Sequence, residues 1–226
     1  MFVSLEGIEG AGKTTTLPHL VASLEARGKT CTVTREPGGT DFGRRLRAIL
    51  LDPATGAIEP KTELLLYLAD RVQHVREVIQ PALESGQVVL CDRYMDATVV
   101  YQGVARGLGR ALIMELHRLV LGKLKPDATL LFDLPARVGL ERAWKDFNQG
   151  ERSRRESRFE QESLAFHEAV REGYLGLAQS EPQRFHIIDA AADPQAVARQ
   201  ASAALARVLR SKAPPNDRMS GDRMTP

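Results

Sequence analysis

Eight consecutive residues, Gly7-Ile8-Glu9-Gly10-Ala11-Gly12-Lys13-Thr14, satisfy G-x-x-x-x-G-K-[S/T] at each fixed position, a pattern whose chemistry is phosphate binding. Glycines there let successive backbone N–H groups converge on phosphate oxygens, and a helix opening directly behind adds the positive end of its dipole. An amine at position 13 reaches the β- and γ-phosphates, and a hydroxyl at position 14 can ligate Mg²⁺. Gly7, Ile8, Glu9, Gly10, Ala11, Gly12, Lys13, Thr14 and Thr15 are therefore expected to hold a nucleoside triphosphate.

A phosphate loop does not name a reaction, because switches, motors and small-molecule kinases share it. The Asn-Lys-x-Asp segment with which switch GTPases read a base is missing from the sequence. The chain offers arginines instead: Arg35, Arg71, Arg93 and Arg106. Three of them fall at or just beyond the C-terminal ends of expected strands, the edge where an open α/β sheet binds ligands. One such arginine is ordinarily a surface residue, but several beside a phosphate loop point to a second anionic substrate. Residues 145–158 are almost devoid of apolar side chains and contain Arg152, Arg154, Arg155 and Arg158. They read either as a solvated loop or as a lid that brings guanidinium groups to phosphates, a task for which the planar, bidentate fork suits Arg better than Lys. His19, His74, His117, His167 and His186 sit in no recognisable motif and are expected to be structural; Cys31 and Cys91 are too few for a metal quartet or a disulfide framework and are expected in the core.

These residues need a frame. Short apolar runs at 2–5, 30–34, 87–91, 129–133 and 185–189 read as buried strands. Between and after them, helical patterns cover 14–26, 41–51, a stretch after Pro60 with Leu64, Leu68, Val72, Val75 and Ile79 at helical spacing, then 95–103, 109–122, 135–145, 159–180 and 195–210. Strands alternating with helices predict an α/β fold with a five-stranded parallel sheet covered on both faces. One kinase-like domain is expected over 1–210, with a disordered tail over 211–226. The composition agrees: 226 residues, 43% hydrophobic and 27% charged, with 31 Lys+Arg against 29 Asp+Glu for a net charge of +2. That balance argues against a nucleic-acid-coating protein. The absence of a long apolar run argues against a membrane span. The N-terminus has no secretion-signal pattern, so a cytoplasmic protein is expected.

The phosphate loop with its acidic Glu9, the Thr34-Arg35-Glu36-Pro37-Gly38-Gly39-Thr40 segment, Ala69-Asp70-Arg71, Asp92-Arg93-Tyr94 and Tyr101-Gln102-Gly103 together resemble the bacterial thymidylate kinases, of the nucleoside-monophosphate kinase group. The resemblance runs in order from Phe2 to about Leu209. It implies a three-layer P-loop kinase fold, a homodimer, and transfer of the γ-phosphoryl group of Mg·ATP to dTMP. Alternatives are another P-loop kinase of small acceptors, or a nucleotide-binding module without phosphotransfer. Residue by residue, the resemblance implies that Arg93 holds the acceptor's phosphate and that Glu9 accepts a hydrogen bond from its 3′-hydroxyl. Asp92 lies near the Mg²⁺ with Thr14, in preference to Asp133; Thr98 and Gln102 line the base pocket, Tyr101 lies against the sugar, and Arg35 and Pro37 contribute to the acceptor site. With Ala11 in the loop, the catalytic arginines are expected in the lid, Arg154 and Arg155 foremost, beside Lys13 and Arg93. Tyr67 and Arg71, i and i+4 on one helix face, are expected to stack on the pyrimidine and to donate to O4 of thymine; the competing reading is an ordinary surface Tyr–Arg pair.

Overall fold

The computed structural model describes residues 1–150 and 153–212, so Arg152 and most of the expected tail lie outside the described residues. Five strands, β1 (Phe2–Glu6), β2 (Cys31–Arg35), β3 (Val88–Asp92), β4 (Ala128–Asp133) and β5 (Phe185–Asp189), form one sheet in the order β2-β3-β1-β4-β5, and every pairing is parallel. The expected runs coincide with the strands to within a residue or so, because each is short, apolar and bounded by turn residues. Side chains alternate across the sheet. Val3, Leu5, Val88 and Leu90 feed one apolar cluster, whereas Phe2, Val89 and Cys91 feed another with Val75, Ile79, Tyr94 and Met95. Both faces are therefore packed, giving the three-layer α/β architecture.

Register sets the position of the chemistry. Leu5 pairs with Asp92, and Arg35 pairs with Asp92 from the other side. The ends of β1, β2 and β3 thus finish level, and the phosphate loop, Arg35, Asp92 and Arg93 emerge on one edge. Arg93 is the one non-glycine residue with positive φ (68°) among the described residues, a conformation that costs an L-residue about 1–3 kcal/mol. Its N–H donates to the Leu5 carbonyl at 2.9 Å, fastening the end of β3 to β1.

The helices are α1 (Lys13–Glu25), α2 (Asp41–Leu51), α3 (Pro60–His74), α4 (Gln80–Glu84), α5 (Met95–Thr98), α6 (Arg110–Leu121), α7 (Ala136–Asn148), α8 (Leu164–Ser180) and α9 (Pro194–Lys212). A π-helical turn over Val75–Ile79 joins α3 to α4, and a second over Val99–Ala105 extends α5. Four expectations shift. Helix α7 runs past 145 to Asn148 because Phe147 is buried against Trp144, their rings 5.5 Å apart. Helix α8 starts at Leu164 rather than 159, since the Ser163 hydroxyl caps it by accepting from the Phe166 N–H. Val72 does not belong to the buried stripe of α3: Leu64, Leu68, Val75 and Ile79 are buried, while Val72 faces outward. Helix α9 also continues through Lys212, two residues into the expected tail.

The phosphate loop is seated on α7 through two glycines. A Cβ on Gly139 would lie 2.5 Å from the Glu9 carbonyl oxygen, and a Cβ on Gly10 would collide with the Gly139 carbonyl. Alanine is intrinsically better than glycine in a helix by about 0.8–1.0 kcal/mol, so any loss at position 139 must come from this contact. Gly139→Ala is expected to lower stability by about 1–3 kcal/mol and to raise the KM for ATP at least severalfold. Thermal denaturation together with ATP saturation curves checks it; unchanged ATP kinetics would show that the loop does not depend on this seat.

Candidate active site

A cavity of about 790 Å³ opens along this edge. At its centre lies the phosphate loop. Lys13 Nζ donates to the carbonyls of Gly7 and Ile8, 3.0 Å each. Burial and the nearby Arg93 guanidinium push the Lys13 pKa down to about 8. Thr14 Oγ1 donates to Asp92 Oδ2 at 3.4 Å, and Asp92 Oδ1 is buried without a partner among the described residues. A hydroxyl beside a carboxylate with a spare oxygen is a donor set that suits a hard divalent cation. Asp133 is unsuited, because Arg171 holds both its oxygens at 2.7 and 2.9 Å.

The structure brings together the residues expected at the acceptor. Arg93, Glu9, Tyr101, Arg71, Tyr67, Thr98, Gln102, Arg35 and Pro37 all line the cavity. The Arg93 guanidinium donates to Glu9 Oε1 at 2.8 Å and lies 4.9 Å over the Tyr101 ring; the Tyr101 hydroxyl donates to the same oxygen at 2.7 Å. Burial alone would raise the Glu9 pKa, but Arg93, His167 and Tyr101 together hold it well below the usual carboxylate range. Arg71 is no surface residue. It is 1% exposed, donates through Nε to Glu36 Oε2 (2.6 Å) and through Nη2 to Thr98 Oγ1 (2.7 Å), and leaves Nη1 without a partner among the described residues. The surface-pair reading is thereby excluded. Gln102 Nε2 donates to Glu63 at 2.7 Å, so its side chain is braced at the cavity wall.

The lid expectation divides. Arg154 and Arg155 are exposed and do not line the cavity; Arg154 donates to Asn148 Oδ1 at 2.8 Å. Arg158 is a buried anchor: its N–H donates to the Leu51 carbonyl, and its Nη2 to Glu63 Oε2 at 2.6 Å. Glu63, with no exposed surface, also receives Gln102 and Arg106.

Several contributors have no motif. Arg47 grips Glu156 with Nε at 2.9 Å and Nη2 at 2.8 Å and donates to the Pro37 carbonyl, joining the 153–158 segment to the cavity wall at Pro37. Beyond the phosphate loop the cavity continues between Arg142, Ala190, Ala192, Pro194 and Val197, where Arg142 Nη1 donates to the Ala190 carbonyl at 2.8 Å. His74 is structural, held by Glu36 and Thr34, and His117 by the Leu124 carbonyl. His167 departs from the expectation, since its Nδ1 lies 3.1 Å from Glu9 Oε2. Only three-dimensional proximity reveals it.

A phosphate loop on the switch edge of a 2-3-1-4-5 parallel sheet, facing an arginine-lined wall across one cavity, has the architecture of a P-loop phosphotransferase. The family described as thymidylate kinase matches residues 5–201. The chain is 56% identical to a thymidylate kinase of Desulfosudis oleivorans over 92% of this chain and 97% of that one. It is 54% identical to one of Desulfovibrio desulfuricans (94% and 98%) and 51% identical to one of Geobacter sulfurreducens (94% and 98%). The chain belongs to the thymidylate kinase family.

Lys13 supplies a pH-dependent expectation. A lysine with its pKa lowered to about 8 loses charge as pH rises through that value, whereas bound phosphates favour the charged form. ATP binding at pH 8 should therefore take up about half a proton, and ATP affinity should fall as pH rises further. Calorimetry in buffers of different ionisation enthalpy measures the uptake, and Lys13→Met should abolish it. Equal proton balance in wild type and variant would refute the assignment.

Proposed function

We propose that this thymidylate kinase moves the γ-phosphoryl group of ATP to the 5′-phosphate of dTMP by positioning and charge neutralisation, without a general base. The acceptor phosphate is already largely ionised near neutral pH, so the nucleophile needs no proton removed. Lys13 and the loop N–H groups face the donor phosphates, and Arg93 faces the acceptor phosphate. Thr14 and Asp92 would hold Mg²⁺, which supplies charge neutralisation at the donor phosphates. The lobe at Arg142, Ala192 and Val197 suits the flat base of ATP. Arg154 and Arg155 are assigned to the transferring group once the lid closes and excludes water.

The observation that carries the acceptor reading is Arg71 Nη1, a buried and unpartnered donor on the cavity wall beside Tyr67 and Thr98. Thymine offers a carbonyl at position 4, whereas cytosine presents an amino group there, donor against donor. Tyr101, tied to Glu9, crowds the 2′ position against ribose. The protein should prefer dTMP over dCMP by on the order of 10³ in kcat/KM, with a smaller margin over dUMP. Arg71→Lys, which keeps the charge beside Glu36 but loses the fork, should raise the acceptor KM and narrow that margin. Equal turnover of dTMP and dCMP by the wild type would overturn the base-reading assignment.

The lid assignment has its own check. Arg154→Ala or Arg155→Ala should reduce kcat by about 10²-fold or more while leaving the KM for dTMP nearly unchanged, and Lys at the same position should rescue poorly. If neither change affects turnover, the segment is a solvated loop.

We further assign a homodimer, supported by the family resemblance and by Leu65 and Val72 on α3 and Leu112, Leu119 and Val120 on α6, large apolar side chains left exposed on two helices that pack together. A cytoplasmic location agrees with the finding that no helix among the described residues is long and apolar enough to cross a membrane.

A further inference from the structure

His167 lies in the first turn of α8 with no exposed surface. Its Nε2 is 3.0 Å from the Phe159 carbonyl oxygen, and its Nδ1 is 3.1 Å from Glu9 Oε2. Nδ1 and Glu9 Oε2 are both buried and neither has a hydrogen-bond partner among the described residues, so their 3.1 Å ion-pair contact is the polar interaction that each makes there. A carbonyl accepts and never donates, which assigns a hydrogen to Nε2. The ionised Glu9 carboxylate, 3.1 Å from Nδ1, likewise only accepts, so this close contact is favourable when Nδ1 carries a hydrogen. Both nitrogens are then donors, and the ring is an imidazolium. The charged groups around it fit that state: Glu9 from the phosphate loop and Glu160 from the turn before α8 favour the cation, against burial and the positive end of α8. The net effect is a raised His167 pKa. Arg93 and Tyr101 reach the same carboxylate through its other oxygen.

Three side chains from three segments thus surround Glu9: Arg93 and Tyr101 donate to Oε1, and His167 is the charged group beside Oε2 among the described residues. Tyr101 meets the segment after the lid through its ring, 5.4 Å from that of Phe159, and His167 meets it through a hydrogen bond to the Phe159 carbonyl. We propose that His167 is a positioning residue of the acceptor site, donating to Glu9 Oε2 and to the Phe159 carbonyl so that the carboxylate is held at the acceptor's 3′-hydroxyl and tied to the segment following the lid. The proposal rests on the reading of Glu9 as the 3′-hydroxyl acceptor.

The test compares dTMP with its 3′-deoxy analogue as acceptors for the full chain and for His167→Asn, His167→Gln, His167→Phe and Glu9→Gln. An asparagine amide nitrogen takes the place of Nδ1 and can still donate to Glu9; a glutamine amide takes the place of Nε2 and cannot. His167→Phe and His167→Gln should raise the KM for dTMP about tenfold with the KM for ATP little changed, and the rise should vanish with the 3′-deoxy acceptor. His167→Asn should recover most of the loss. Should His167→Phe fail to fold, the Asn–Gln contrast alone decides. If Glu9→Gln discriminates between the two acceptors but no His167 variant does, His167 is only structural and the proposal falls while the Glu9 reading stands. If Glu9→Gln treats both acceptors alike, the Glu9 reading fails and the proposal with it.

Discussion

The Glu9 carboxylate is buried in the wall of the cavity, and burying a charge costs several kcal/mol unless it is paired and hydrogen-bonded. Much of the site is arranged to satisfy that one group. Arg93 and Tyr101 meet one oxygen and His167 the other. To deliver its guanidinium there, Arg93 adopts a left-handed backbone at the end of β3, held by the Leu5 carbonyl. The same turn leaves Asp92 beside Thr14. The pairing requirement therefore links the glycine-rich loop after β1 to the end of β3.

The cavity wall opposite extends this principle. Glu36 receives Arg71 and His74, and Glu63 receives Gln102, Arg106 and Arg158. Each carboxylate is buried; Glu36 orders two side chains of α3, and Glu63 orders side chains from two segments far apart in the chain. Such clusters are poor sources of net stability, because desolvation offsets the Coulomb gain. Their use here is geometric. Arg71, a residue of the cavity lining, has its Nε and Nη2 committed, which fixes the plane of the guanidinium and leaves Nη1 without a partner among the described residues. A guanidinium held this way loses little entropy when it meets a carbonyl, and it rejects a ligand that cannot accept its hydrogen bond.

How much of this could be read from residue order depends on the range of the interaction. The phosphate loop was legible because backbone convergence on phosphate needs glycines at fixed local spacing. The strands were legible because short apolar runs in a doubly covered sheet leave little else to be. Arg93 and Arg71 could be placed through their motifs, although nothing local indicated that Arg71 would be fully buried. Gly139, the Arg47–Glu156 pair, Arg142 and the His167–Glu9 contact were not legible. Each joins segments far apart in the chain, and in isolation each looks like a helix glycine, a surface charge or a core histidine.

The segment expected as a lid illustrates the same limit, and the structure shows where its ends lie. At one end Phe147 is buried against Trp144 and prolongs α7. At the other, Ser157, Arg158 and Phe159 are buried, with Arg158 fastened to the Leu51 carbonyl and Glu63. Charge alone suggested one arginine cluster through 158, but the physical division falls before Ser157. Arg154 and Arg155 stay at the surface, outside any buried pair, while Arg158 gives up its freedom to brace the wall. Glu156 stands at the boundary, gripped by Arg47, whose third hydrogen bond goes to the Pro37 carbonyl in the cavity wall. The foot of the arginine segment is consequently attached to the wall that carries Arg35 and Pro37 by a bidentate ion pair rather than left free in solvent.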